Sequence, residues 1–146
     1  MNDHPSESVT ATWVALHRSQ AVVLGAVEAD LKREGLPPLV WYDVLLELRR
    51  AEPDGLRSGV LEQRMLLAQY NMSRLADRLG SAGYLRRSKA PNDGRGTLLM
   101  ITAKGRELLD TMWPAYGAAI QRHVGDKLTK QECVTLRALL TKLREP

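Results

Sequence analysis

Between Leu56 and Thr102 the hydrophobic period of the chain changes from helical to extended, and this change most limits the folds open to it. Met72, Leu75, Ala76 and Leu79 recur at the i, i+3, i+4, i+7 spacing of one helical face, while the rest of that segment is polar. A shorter segment ahead of it, Ser58 to Met65, reads as a first helix with Val60, Leu61 and Met65 turned inward. Leu66, Leu67 and Ala68 form the turn between the two. Gly80 and Gly83 lie at the far end of the second helix, where a left-handed residue can stop it. Tyr84 to Lys89 and Thr97 to Ile101 then read as two strands. The segment between them, Ala90-Pro91-Asn92-Asp93-Gly94-Arg95-Gly96, is rich in turn-forming residues and extends neither strand.

Helix, turn, helix and a two-stranded ribbon in that order make a winged helix-turn-helix, a motif that lays its second helix in the major groove of DNA. Opposite the apolar stripe, that helix carries Tyr70, Ser73, Arg74 and Asp77, with Gln69, Asn71 and Arg78 beside them. Asn suits an adenine edge, Arg suits guanine or phosphate, and Ser and Tyr suit either bases or phosphates. Tyr70, Asn71, Ser73 and Arg74 are therefore the candidate major-groove residues, and Arg78, Arg86, Arg87 and Lys89 the candidate phosphate contacts. At the loop tip Asp93 stands two residues before Arg95, where a charge-assisted hydrogen bond can orient the guanidinium.

Charge supports the same surface. Arg57 to Arg106 holds ten Lys or Arg against three acids, a balance of +7, whereas the remainder holds eleven against fourteen and carries −3. A basic face on an otherwise acidic body is the electrostatic footprint of a polyanion-binding protein. The duller reading is a solvated surface that happens to be basic, but here the cluster coincides with the motif.

The helix-turn-helix, then Ala82-Gly83-Tyr84-Leu85-Arg86-Arg87, then Asp93-Gly94-Arg95-Gly96, then the ITAKGREL run from Ile101 to Leu108, together resemble the MarR family of bacterial transcriptional regulators. The resemblance extends over nearly the whole chain, since VWYDVLLEL from Val40 and LTKQECVTLRALLTKL from Leu128 also fall where that family has helices. It implies a homodimer with interlocked terminal helices, a recognition helix in each major groove, and a wing arginine, matched by Arg95, in the adjacent minor groove with Asp93 as its acidic partner. Two positions depart from the pattern: Arg57 stands where the family often has a capping Thr, and Gly96 where a bulkier residue is common.

The flanking segments read as supports. Met1 to Ser8 lacks periodic apolar residues and is expected to be disordered. From about Val9 to Lys32, Trp13, Leu16, Val23, Leu24, Val27 and Leu31 follow a helical spacing that Gly35 closes. Such a terminal helix has little of its own domain to cover it, so its stripe argues for a partner subunit. After Leu36-Pro37-Pro38, Trp41, Val44, Leu45 and Leu48 form the buried face of a helix that stops before Pro53-Asp54-Gly55. Thr102 stands at an N-cap position, Leu108, Leu109 and Met112 begin a long helix, and Pro114 within it predicts a kink. Gly125 and Asp126 mark a break. Thr129-Lys130-Gln131-Glu132 is a capping box opening a last helix with Leu136, Leu139, Leu140 and Leu143 along one side. The expectation is one mainly α domain over residues 1–146 with a small two-stranded β wing. Dimerisation helices cover about 9–34 and 103–145, and the winged helix-turn-helix about 39–102.

No enzyme constellation accompanies this fold: there is no nucleophile with a base, no paired carboxylates and no phosphate-cradling glycine loop. Cys133 is the single cysteine, which reads as a buried structural thiol, with a redox-sensing regulator as the alternative. No Cys or His stands at metal-ligand spacing and no cofactor motif is present. His123 is expected near the subunit interface. The longest apolar runs fall well short of a membrane span, giving a cytoplasmic expectation. Members of the family often bind small aromatic acids, and the resemblance puts Trp13, His17, Arg18, Trp41 and Tyr42 in the region that would hold such an effector. At helical spacing the aromatic members of this set equally suit a core. The expected partners are double-stranded DNA, a second copy of the chain and a possible small aromatic effector. A winged helix that binds protein instead of DNA is the competing reading, separated by the steep salt dependence of DNA binding.

Overall fold

The computed structural model describes residues 3–67, 71–89 and 96–146. Two compact units emerge: one made of residues 1–34 and 115–146, the other of residues 35–114.

In the terminal unit, α1 (Glu7–Arg33) starts earlier than its apolar periodicity indicates. The Ser6 hydroxyl accepts from the Val9 amide at 3.2 Å, which brings Glu7 and Ser8 into the first turn instead of leaving them disordered. Glu7 at the start and Lys32 and Arg33 at the end complement the helix dipole. Gly35 follows with φ 71°, as the sequence predicts for a left-handed stop. Near the end of α1 the buried Asp30 carboxylate accepts from Arg33, from Arg122 Nη1 at 2.6 Å and from His123 Nε2 at 2.9 Å. His123, expected near a subunit interface, pairs with Asp30 of its own chain. Arg122 and His123 lie on a π-helical turn, Gln121–Gly125, where the sequence shows only a break. The last helix, α6 (Lys130–Arg144), opens with the predicted capping box: Thr129 Oγ accepts from the Glu132 amide at 3.1 Å, and Glu132 accepts from the Thr129 amide at 2.9 Å. Cys133 on α6 is half-buried, not buried.

The winged unit is built on α2 (Leu39–Arg50), whose Leu39, Tyr42, Asp43, Val44, Leu45 and Leu48 are buried; Trp41, expected among them, is half-buried. After it come β1 (Leu56–Arg57), α3 (Ser58–Arg64), α4 (Met72–Ser81), β2 (Leu85–Lys89), β3 (Thr97–Ile101) and the first part of α5 (Ala103–Ile120), a helix continuous through Pro114. The sheet has three antiparallel strands in the order β1-β3-β2, where two were expected. Two residues carry no period of their own, and β1 exists because Leu56 and Arg57 pair with Leu99 and Leu98. Gly55 permits that approach, since a Cβ there would stand 2.8 Å from the Leu99 carbonyl oxygen and its φ is 77°. On α3 only Leu61 is fully buried; Val60, expected inward, is exposed because the short helix turns one residue per turn to the core. Gly80 lies inside α4, so the stop falls to Gly83 at φ 85°. Leu45, Leu48, Leu61, Leu79, Leu99, Leu109 and Met112 form the core. Thr102 caps α5, accepting from the Gly105 amide at 3.1 Å and donating to the Gly83 carbonyl at 2.6 Å, which fixes the helix start against the end of α4.

Candidate nucleic-acid interface

The helix α4 forms where Asn71 ends the preceding turn: its Oδ1 accepts from the Arg74 amide at 2.9 Å and satisfies one of the free N–H groups of the first turn. Met72, Leu75, Ala76 and Leu79 are buried as their spacing predicts, which leaves Ser73, Arg74, Asp77 and Arg78 exposed on the other side. Asn71, read from the sequence as a base-contacting side chain, therefore has a capping role first, with its amide oxygen engaged by the helix.

The strand register sorts the wing cations. Leu85, Arg87 and Lys89 face the same way as their partners Ile101, Leu99 and Thr97, the side that buries Leu85 and Leu99. Arg86 faces the other way with its partner Met100, and lines a groove with Glu52, Pro53 and Arg106. Arg86, Arg87 and Lys89, expected together on phosphates, thus divide between two faces, because neighbours in a strand point in opposite directions. Arg87 reaches back to α4 and donates to Asp77 at 2.5 Å, tying strand to helix through an ion pair between two exposed groups. Lys104, at the start of α5, donates to the Ala82 carbonyl at 2.6 Å and lies 4.8 Å from the centre of the Tyr84 ring, placing a cation at the carbonyl end of α4.

The wing root holds a contact that sequence reading missed. Arg57, the N-cap residue of α3, makes no side-chain cap; its Nη1 instead lies 2.9 Å from where a Cβ on Gly96 would stand. Gly96 has φ 79°, a conformation that side chains resist. The two departures from the family pattern are thus one arrangement, in which the absent side chain at 96 makes room for the guanidinium. Both residues stood out in the sequence, but only the pairing of β1 with β3 brings them together. Gln69, Tyr70, Asp93 and Arg95 lie outside the described residues.

The candidate effector residues occur in separate ring pairs. Trp13 meets His17 edge to face at 4.2 Å on the exposed side of α1, where Arg18 is also exposed. In the winged unit, Trp41 is tilted against Tyr84 at 5.8 Å, and Tyr42 stacks on Trp113 at 6.4 Å. Tyr42 is 6% exposed, which makes it a core residue, and its burial raises the pKa of its hydroxyl. Among the described residues no His, Cys, Asp and Glu cluster could hold a metal ion, and no helix is long and apolar enough to cross a membrane.

Comparison with known proteins agrees with the helix-turn-helix and wing. The MarR family model matches residues 34–96. The chain is 27% identical over 112 residues to the transcriptional repressor MprA of Escherichia coli, covering 77% of this chain and 62% of that protein. It thus spans less than two thirds of the length of that relative. Among solved structures, it is similar to Sco3205 of Streptomyces coelicolor, a MarR family transcriptional regulator in complex with DNA, with TM-score 0.85, 24% identity and coverage of 99% and 92% of the two chains. A mutant MarR from E. coli complexed with operator DNA is similar with TM-score 0.80, 23% identity and coverage of 93% and 95%. The match to the MarR family model thus lies over α2, α3, α4 and β2, and the chain shares the fold of solved MarR family regulators.

Proposed function

We propose that this chain is a transcriptional regulator that binds double-stranded DNA as a homodimer and acts as a repressor at a pseudo-palindromic site. The observation that carries the reading is the exposed face of α4, where Ser73, Arg74 and Arg78 stand free of the core and Asp77 is tied to Arg87 of β2. Arg74 reads a base edge, Ser73 a base or phosphate, and Arg78 and Lys89 hold phosphates. Arg87 serves the interface while paired with Asp77, and Arg95 enters the minor groove from the wing tip. The second copy is supported by the terminal unit, where Val9, Trp13 and Val22 of α1 and Leu139 and Leu143 of α6 are all more than half exposed. Two recognition helices related by a two-fold axis and reading one pseudo-palindrome stand about 34 Å apart, one turn of B-DNA. Trp13 and His17 beside Arg18 offer exposed rings and a cation to a small aromatic acid that would release the DNA.

Duplexes selected from a random pool test the reading. Affinity for the selected duplex falls steeply as salt rises, and Arg74→Ala weakens binding by about 1–3 kcal/mol while relaxing preference at one base pair. Salt-insensitive binding, or none to any duplex, overturns the proposal.

A further inference from the structure

The buried carboxylate of Asp43 has no place in base or phosphate contact, yet it sits where the path between the two motif helices is decided. Asp43 is 6% exposed on α2, between the buried Tyr42 and Val44. Its Oδ1 accepts from the Leu66 amide at 3.0 Å and its Oδ2 from the Leu67 amide at 2.7 Å. One carboxylate thus takes two successive backbone N–H groups in the turn that follows α3, bonds of the charge-assisted kind.

Little else described in that turn could hold it. The Leu66 side chain is 75% exposed, so it anchors nothing. The preceding helix α3 is seven residues long and buries only Leu61 completely. The turn ends at Asn71, which caps α4. Asp43 itself is set rigidly: its neighbour Tyr42 stacks on Trp113 of α5, and Trp41 rests against Tyr84, just beyond the end of α4. Asp and Glu are rarely buried without partners, and an apolar residue on this face of α2 would pack without any. The carboxylate is therefore explained by what it fixes.

We propose that Asp43 is a positioning residue for DNA recognition: by gripping the Leu66 and Leu67 amides it sets where α4 begins and how its exposed face is presented. This rests on the DNA-binding reading of α4. Loss of the grip leaves the groove-reading residues in place but makes the binding-competent conformer rarer, so the apparent affinity falls by the fraction lost.

The test uses the full chain. Asp43→Asn keeps the size of the side chain but turns an amide group toward one of the two N–H donors. Its affinity for the duplex selected by the wild type falls about ten- to a hundredfold, while the slope of log affinity against log salt stays the same because the same phosphates are met. Equal affinity in a variant that melts cooperatively overturns the proposal, and so does a shallower salt slope, which would make Asp43 part of the phosphate contact network. Hydrogen exchange on the wild type decides independently of any variant's folding and of DNA. The Leu66 and Leu67 amides exchange slowly although Leu66 is exposed, and exchange at the rate of an open loop overturns the grip. Slow exchange in a wild type that binds no duplex would sink the DNA reading and, with it, the role assigned to the grip.

Discussion

The two units dispose of their apolar side chains in opposite ways. In the winged unit Leu45, Leu48, Leu61, Leu79 and Leu99 are at most 2% exposed, and the large apolar side chains left outside are Val60, Leu66 and Trp113. In the terminal unit Trp13 is 63% exposed, Val22 68%, Leu139 54% and Leu143 63%. Both units have strongly patterned helices, so pattern alone does not distinguish them. What differs is closure: a sheet and four helical segments bury the leucines of the winged core, while α1 and α6 each carry apolar side chains left exposed in their own unit. Exposed apolar surface of that extent calls for a covering partner, and a second copy supplies an identical pair of stripes.

The comparison breaks or sharpens at four points. The largest effect belongs to the terminal stripe: replacing Leu139 and Leu143 together with Glu converts the protein to monomer in sedimentation, with the helix content of the winged unit kept. A stable dimer from that variant would mean that the exposed stripe of α6 is not the interface. In the winged unit, Leu79→Ala removes a fully buried side chain from a closed core and costs about 2–5 kcal/mol in denaturant unfolding, since the cavity does not collapse. A cost near that of an exposed leucine would show the winged core to be as open as the terminal one.

The wing root sharpens the comparison at one residue. Gly96→Ala costs about 1–2 kcal/mol, chiefly from its positive φ, because the Arg57 guanidinium that the new methyl would meet is the far end of an exposed side chain and can swing aside, so adding Arg57→Ala recovers only a small part. Strictly additive losses in the two substitutions would separate the residues that the structure brings together.

The smallest effect is electrostatic and belongs to the terminal unit. The hydrogen bond from His123 lowers the Asp30 pKa most, burial opposes it, and Arg33 and Arg122 lower it further. A carboxyl with a lowered folded-state pKa stabilises fully above its ordinary value, and the contribution disappears as pH falls through the lowered one. Relative to Asp30→Asn, the wild type thus keeps its advantage at neutral pH and loses it below about pH 4. A constant difference between the two melting curves down to pH 2 would remove the charged form of Asp30 from the account.

Much of this molecule was legible before any coordinates. The face of α4 followed from the spacing of Met72, Leu75, Ala76 and Leu79, and the capping box at Thr129 from four consecutive residues. The unpartnered stripe of α6 followed from Leu136, Leu139, Leu140 and Leu143. The separation of Arg86 from Arg87 was also available, because alternation along a strand is a local rule that needs only the register. Other features had no local signature. Asp43 looks like any polar residue on a helix until the turn some two dozen residues later is folded against it. Strand β1 has too few residues to show a period, and Arg57 and Gly96 looked like two unrelated departures.

Amino-acid order by itself determined most of the helices and both strands of the wing, the apolar face of α4 and the caps at Thr102 and Thr129. These depend on interactions within three or four residues, and their causes are written side by side in the chain. Tertiary structure alone decided which backbone amides the buried carboxylate would hold, which strand edge would recruit two more residues, and which apolar stripes would remain uncovered. Those outcomes join groups distant in sequence, and whether such groups meet depends on how whole elements pack.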